Sequence, residues 1–241
     1  MIQVPCRWKH VSAVYAPCLP KLGSMSPLTV PEWITEGPVL HDTYETLDFF
    51  LPDPCIGLAF DPGTSSAGVR CEYISHGICS DVLRYESVEF EPGPQRVHAI
   101  LSYCESLLDE TLPDFVVIEV QLAMFRTRDS DLSATILMTA AAQRGIPVLM
   151  VDPNIKFVSL GISIRDKDKK KDIVQKMETR HQEDGDMVSY TLLRHISGKK
   201  TSSGKRVSAS KQKSDMADAA ALLKTTYWSM IRASQELASR T

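Results

Sequence analysis

Three strand-like segments stand in a row with no helix between them, and this run narrows the possible folds more than any other feature of the sequence. "CIGLAF" (55–60) is apolar and ends in the turn-forming stretch "DPGTSSAG"; "GVRCEYIS" (68–75) and "ICSDVLRYESVEF" (78–90) follow with Gly77 between them. Short apolar runs closed by Gly, Pro and Ser read as buried strands, and strands joined by tight turns pair antiparallel. After "EPGP" the period changes. Val97, Ile100, Leu101, Cys104, Leu107 and Leu108 recur at helical spacing, which predicts a helix over 95–110. "FVVIE" (115–119) predicts a strand, 129–144 a helix closed by Gly145, and "PVLMV" (147–151) another strand. Beyond 152 the pattern is helical over roughly 168–182, 186–196 and 214–238. A β-meander followed by alternating helices and strands predicts an α/β sandwich around a mixed sheet.

Residues 1–54 hold eight of the fourteen prolines and little periodicity. They are expected to form an extended arm or irregular cap, with 55–241 as the domain proper. The segment 197–213, "SGKKTSSGKRVSASKQK", reads as a mobile loop from its Gly, Ser and Lys content. No apolar run reaches the length of a membrane span, and the N-terminus lacks the apolar core of a signal peptide. The six cysteines form no CxxC pair and no Cys/His zinc spacing, so reduced thiols in an intracellular protein are expected. Viral replication site, mitochondrion, nucleus and cytoplasm are not distinguished. The net charge of -3 gives no hint of nucleic acid, yet Met187 to Ser214 contains no acidic residue while Arg194, Lys199, Lys200, Lys205, Arg206, Lys211 and Lys213 all fall there. A basic segment of this kind keeps a polyanionic partner in play.

Four acidic residues stand out by position. Asp61 ends the first strand, before Pro62-Gly63, and Glu119 ends "FVVIE". Asp215 and Asp218 lie three apart in "KSDMADAAALL", on one face of the last helix. Singly, each has a plainer reading: Asp61 as a turn former, Glu119 as a solvated exit residue, Asp215 as a helix cap. If the two strands are neighbours and the helix packs across their edge, the four carboxylates converge, and such a pocket calls for a cation. Oxygen-only ligands favour Mg²⁺, with Mn²⁺ as a substitute, over zinc. Clusters of this type commonly hold two ions about 3.5–4 Å apart for in-line phosphodiester hydrolysis.

The ordered set "IGLAFDPGTSSAGV", "VVIEVQ", a Lys-rich helix start and "SDMADAAALL" resembles the RuvC-like Holliday junction resolvases, a branch of the RNase H-like nucleases. The resemblance covers roughly 55–232 and leans toward the poxviral and mitochondrial members. It implies an RNase H-like mixed β-sheet, symmetric paired nicking of four-way DNA junctions, and a homodimer. It also implies Asp61, Glu119, Asp215 and Asp218 as metal ligands and catalytic acids. A catalytic Lys between the Glu and the final Asp pair is matched best by Lys171, then Lys170. Junction binding would fall to Gln121, Phe125, Arg126 and Arg128 after the Glu strand, to Lys167, Lys169 and Lys170, and to Lys199, Lys200, Lys205, Arg206, Lys211 and Lys213. The helix at 129–144, with Leu132, Ile136, Leu137, Thr139, Ala140 and Gln143, is the candidate dimer face. Rival readings are another branched-DNA or RNA-containing-duplex nuclease, a non-catalytic junction-binding protein, and an actin-like ATPase or kinase sharing a "D-x-G-T" phosphate motif. Against the last, a second Gly-rich phosphate loop is absent from the sequence.

Overall fold

The structure, a computed structural model, describes residues 3–4, 11–15, 49–50, 53–75, 78–120, 128–163, 165–201, 204 and 206–238. In chain order the elements are β1 (Gln3–Val4), β2 (Val11–Tyr15), β3 (Phe49–Phe50), β4 (Cys55–Pro62), β5 (Ser66–Ser75), β6 (Ile78–Glu89), α1 (Arg96–Thr111), β7 (Phe115–Glu119), α2 (Arg128–Gln143) and β8 (Val148–Val151). There follow α3 (Asn154–Ser159), α4 (Lys169–Glu183), α5 (Met187–His195), β9 (Lys199–Lys200), β10 (Arg206–Val207) and α6 (Ala209–Ala238).

The main sheet has the order β2-β8-β7-β4-β5-β6. β4, β5 and β6 form the antiparallel meander expected from the sequence, while β7 and β8 add in parallel on the other side of β4. β2 pairs antiparallel with β8 at the edge, so part of the N-terminal segment extends the sheet. The strand "FVVIE" is buried at every position, as a central parallel strand covered on both faces must be.

Each face of the sheet carries its own apolar layer. On one side Leu58, Phe60, Val69, Val116 and Ile118 meet Ile100, Cys104, Leu107 and Leu108 of α1 and Leu137, Ala140 and Ala141 of α2. Leu137 and Ala140 are therefore core residues, which removes two of the side chains expected on a partner-facing surface; Thr139 and Gln143 of the same helix are exposed. On the other side α6 lays Met216, Ala217, Ala220 and Ala221 down among Phe157, Ile173, Met177 and Leu193.

The alanine-rich stretch of α6 has a structural counterpart in Gly68 of β5. A Cβ there would sit 1.9 Å from the Asp215 carbonyl oxygen, so helix backbone and strand backbone touch. This close approach carries the last helix across the sheet at the level where β4 ends. α6 also starts earlier than the sequence predicts, at Ala209, and the expected mobile loop contains a small hairpin. Lys200 pairs with Arg206 and Lys199 with Val207. Val207 is buried, and the Lys199 ammonium donates to the Ser87 carbonyl at 2.6 Å. Composition alone misses such anchoring, because it rests on one buried valine and one directed lysine.

Candidate active site

β4 and β7 are neighbours, with Phe60 opposite Ile118. The next residues along, Asp61 and Glu119, consequently leave the sheet at the same edge. β8 ends beside them, and the chain turns through Asp152 and Pro153 into α3, a six-residue helix. α3 delivers Lys156. Its ammonium lies 2.9 Å from Asp218 Oδ1 and 3.7 Å from Asp61 Oδ2, and donates a short hydrogen bond to Glu119 Oε2. Lys156 is only 3% exposed, and its ammonium and that of Lys169 lie 5.5 and 5.3 Å from the centre of the Phe157 ring.

Three of the four acidic residues singled out in the sequence thus share one lysine, and Asp215 has a different setting. Its Oδ2 accepts hydrogen bonds from Ser66 Oγ and Ser87 Oγ, both at 2.9 Å, and Lys211 Nζ stands 3.3 Å away. Helix geometry accounts for the division. Three residues rise about 4.5 Å along a helix, close to one strand spacing of about 4.8 Å. On a helix that crosses the strands, Asp215 reaches β5 and β6 while Asp218 reaches the β4–β7 edge. The expected convergence of four carboxylates is three plus one.

The electrostatics of the trio are lopsided. Burial, reinforced by the Glu119 charge, holds the Asp61 carboxyl well above the usual carboxylate range, against the opposing pull of Lys156 and Lys170. Burial by itself would depress Lys156, yet the charges of Asp218, Asp61 and Glu119 keep it well above an ordinary lysine. Three acidic groups around one ammonium leave surplus negative charge in a largely buried setting, and the buried Asp218 Oδ1 has no hydrogen bond beyond its ion pair. Hard oxygen donors with unneutralised charge suit a divalent cation such as Mg²⁺. Among the described residues, however, no group of three or more acidic, imidazole or thiol side chains is arranged around an ion position. The oxygen chemistry of the three side chains suits such a cation, but as they stand they surround Lys156.

Beside the acidic trio lies a groove of about 750 Å³ lined by Lys167, Lys170, Lys171, Lys211 and Lys213 together with Asp168, Ser214 and Asp215. The lysine favoured from the sequence, Lys171, is exposed in this groove. Lys170 is the neighbour whose charge reaches Asp61. Lys213 is partly engaged, donating to the Arg194 carbonyl at 2.9 Å. Lys200 and Arg206 project from the hairpin and are exposed. Gln121, Phe125, Arg126 and Lys205 lie outside the described residues; Arg128 is the first residue of α2, its side chain outside the description. Sequence reasoning missed Lys156. Its signal was a lone charge in the apolar stretch "NIKFVSLG" directly after a strand end, where a buried cation implies buried anions nearby.

No protein-family model matches the chain, and no curated protein matches it. Solved structures do share its fold, an α/β arrangement of a mixed sheet flanked by helices. One of these is RuvC of Thermus thermophilus in complex with a Holliday junction substrate, at 18% identity and TM-score 0.50, covering 72% of this chain and 93% of that one. Another is the yeast mitochondrial Holliday junction resolvase Ydc2, at 14% identity and TM-score 0.50, covering 77% of this chain and 82% of that one. At these identities the shared property is the fold. No described helix is long and apolar enough to cross a membrane.

Proposed function

We propose that this protein is a divalent-metal-dependent endonuclease that cuts four-way DNA junctions. The observation that carries the reading is the meeting of Asp61, Glu119 and Asp218 at one sheet edge, from three distant parts of the chain, beside a lysine-lined groove. An acidic centre bordered by cations suits a phosphodiester: the lysines hold the backbone, and the carboxylates stand at the bond to be broken. Bound Mg²⁺ or Mn²⁺ would activate water and offset the charge that builds on the phosphate.

The chain's own groups have separable tasks. Asp61, Glu119 and Asp218 would hold metal, with Asp215 oriented by Ser66 and Ser87 to serve at the outer side. Lys170 and Lys156, the cations whose charges reach Asp61, would steady the developing negative charge. Lys167, Lys171 and Lys211 would bind backbone phosphates, which positions DNA without reading its sequence and suits recognition by branch shape. Two symmetric nicks require two such sites, supplied most simply by a twofold dimer. Asp61→Asn assayed on a synthetic four-way junction with Mg²⁺ is expected to bind the junction and leave it uncut. Normal cutting by that variant overturns the reading.

A further inference from the structure

The acidic trio encloses a cation that belongs to the chain itself. Lys156 Nζ lies within 3.7 Å of all three carboxylates. A magnesium ion bound by the same oxygens would sit about 2.0–2.1 Å from each ligand atom. The ammonium and the ion cannot occupy that space together, and at these separations their charges repel strongly in a buried setting.

We propose that Lys156 is a built-in counter-ion that changes places with the divalent cation: its ammonium holds Asp61, Glu119 and Asp218 together before metal binds, and metal entry moves it off Asp218. This deepens the nuclease reading and rests on it, since it concerns how the same site is loaded. The contacts of Lys156 are unequal in a way that suits exchange. Glu119 receives a directed hydrogen bond, whereas Asp218 Oδ1 has the ion pair alone. The ammonium therefore gives up Asp218 without losing a directed bond, and its four-carbon stem allows the swing. Without any cation, three carboxylates buried at one edge would repel and push α6 off the sheet. With Lys156 in place the site is assembled in advance, and the metal has to compete for it.

The test uses the full chain and reads Lys156 directly. In a proton–nitrogen spectrum of lysine ammonium groups recorded with chelator, buried Lys156 is expected to give a slowly exchanging signal, assigned by its loss in Lys156→Arg. Saturating Mg²⁺ is expected to shift that signal or broaden it away. In calorimetric titration, Lys156→Met is expected to bind Mn²⁺ at least about tenfold more tightly than the wild type, because the competitor is gone, while Lys156→Arg stays near the wild type. An unmoved signal while calorimetry registers bound Mg²⁺, or equal or weaker Mn²⁺ binding by Lys156→Met, overturns the exchange and leaves the metal reading standing. No binding of either metal to any form overturns both. Should Lys156→Met fail to fold in chelator, the wild-type spectrum decides alone.

Discussion

Arg70 sits in the middle of β5 with no solvent exposure, and the fold answers its charge within one side chain's reach. Glu72 lies 2.6 Å from its guanidinium and Asp186 2.9 Å, and the ring of Tyr85 packs 4.6 Å from it. Asp186 also caps α5 and faces His181 Nδ1 at 3.2 Å; the opposite nitrogen of His181 meets the Tyr85 hydroxyl at 3.3 Å. Burial holds His181 below its usual 6.5, and the nearby His181 ring, the Arg70 charge and the hydrogen bond from the Ser189 backbone hold Asp186 well below the carboxylate range despite its burial. Both shifts act in the same direction on acidification. The unfolded chain protonates its histidine near 6.5 while the folded one resists, so stability is expected to fall as pH drops below about 6.5. The contribution of Asp186 is complete above its unfolded value near 3.8 and goes at lower pH still. The histidine limb has a slope of at most about 1.4 kcal/mol per pH unit. Urea unfolding between about pH 7 and 5 checks it: His181→Gln is expected to flatten that limb, and an unchanged slope would assign it elsewhere.

At the scale of elements, the packing of α6 on β5 decides whether a site exists at all. Gly68→Ala places a methyl group 1.9 Å from the Asp215 carbonyl oxygen, so the helix has to move. The cost is expected to lie at or beyond the upper end of the roughly 1–3 kcal/mol typical of overpacking. Denaturant midpoint and junction cleavage are expected to fall together; an unaffected midpoint would mean that helix and strand pack more loosely than described. The hairpin β9–β10 is the other element with a separable role. With Lys200 and Arg206 both on phosphates, the double variant Lys200→Ala/Arg206→Ala is expected to reduce the log–log salt slope of junction binding by about 0.9 for each phosphate no longer neutralised. Filter binding across a salt series measures this, and an unaltered slope would take the hairpin out of the interface. The strands β4 to β8, the long helices and the Asp61–Glu119 neighbourhood were legible in the sequence because apolar period and strand-end position are local properties. Other features were not: β2, which joins the sheet edge from a segment read as an arm or cap; the short helix α3; the hairpin, anchored by the tertiary packing of Val207 and Lys199; the separation of Asp215 from Asp218, set by the path of α6 over the strands; and Lys156, whose partners lie 37 and more residues away along the chain.

Taken whole, the molecule is a sheet with one covered face for packing and another across which the last helix brings acid to a strand edge. The lysines of α4 and α6 open beside that edge, so charge of both signs is concentrated at one end of the fold. The chemistry proposed for this chain depends on the trio doing the cutting. Asp218→Asn removes one charge from the trio while keeping the shape of the side chain. Its cleavage of a four-way junction in Mg²⁺, measured on denaturing gels beside junction binding by the same preparation, is expected to fall at least about 100-fold relative to wild type, with affinity for the junction retained. Cleavage at the wild-type rate would show that the cluster around Lys156 is an internal ion pair of the fold and not a centre that breaks DNA.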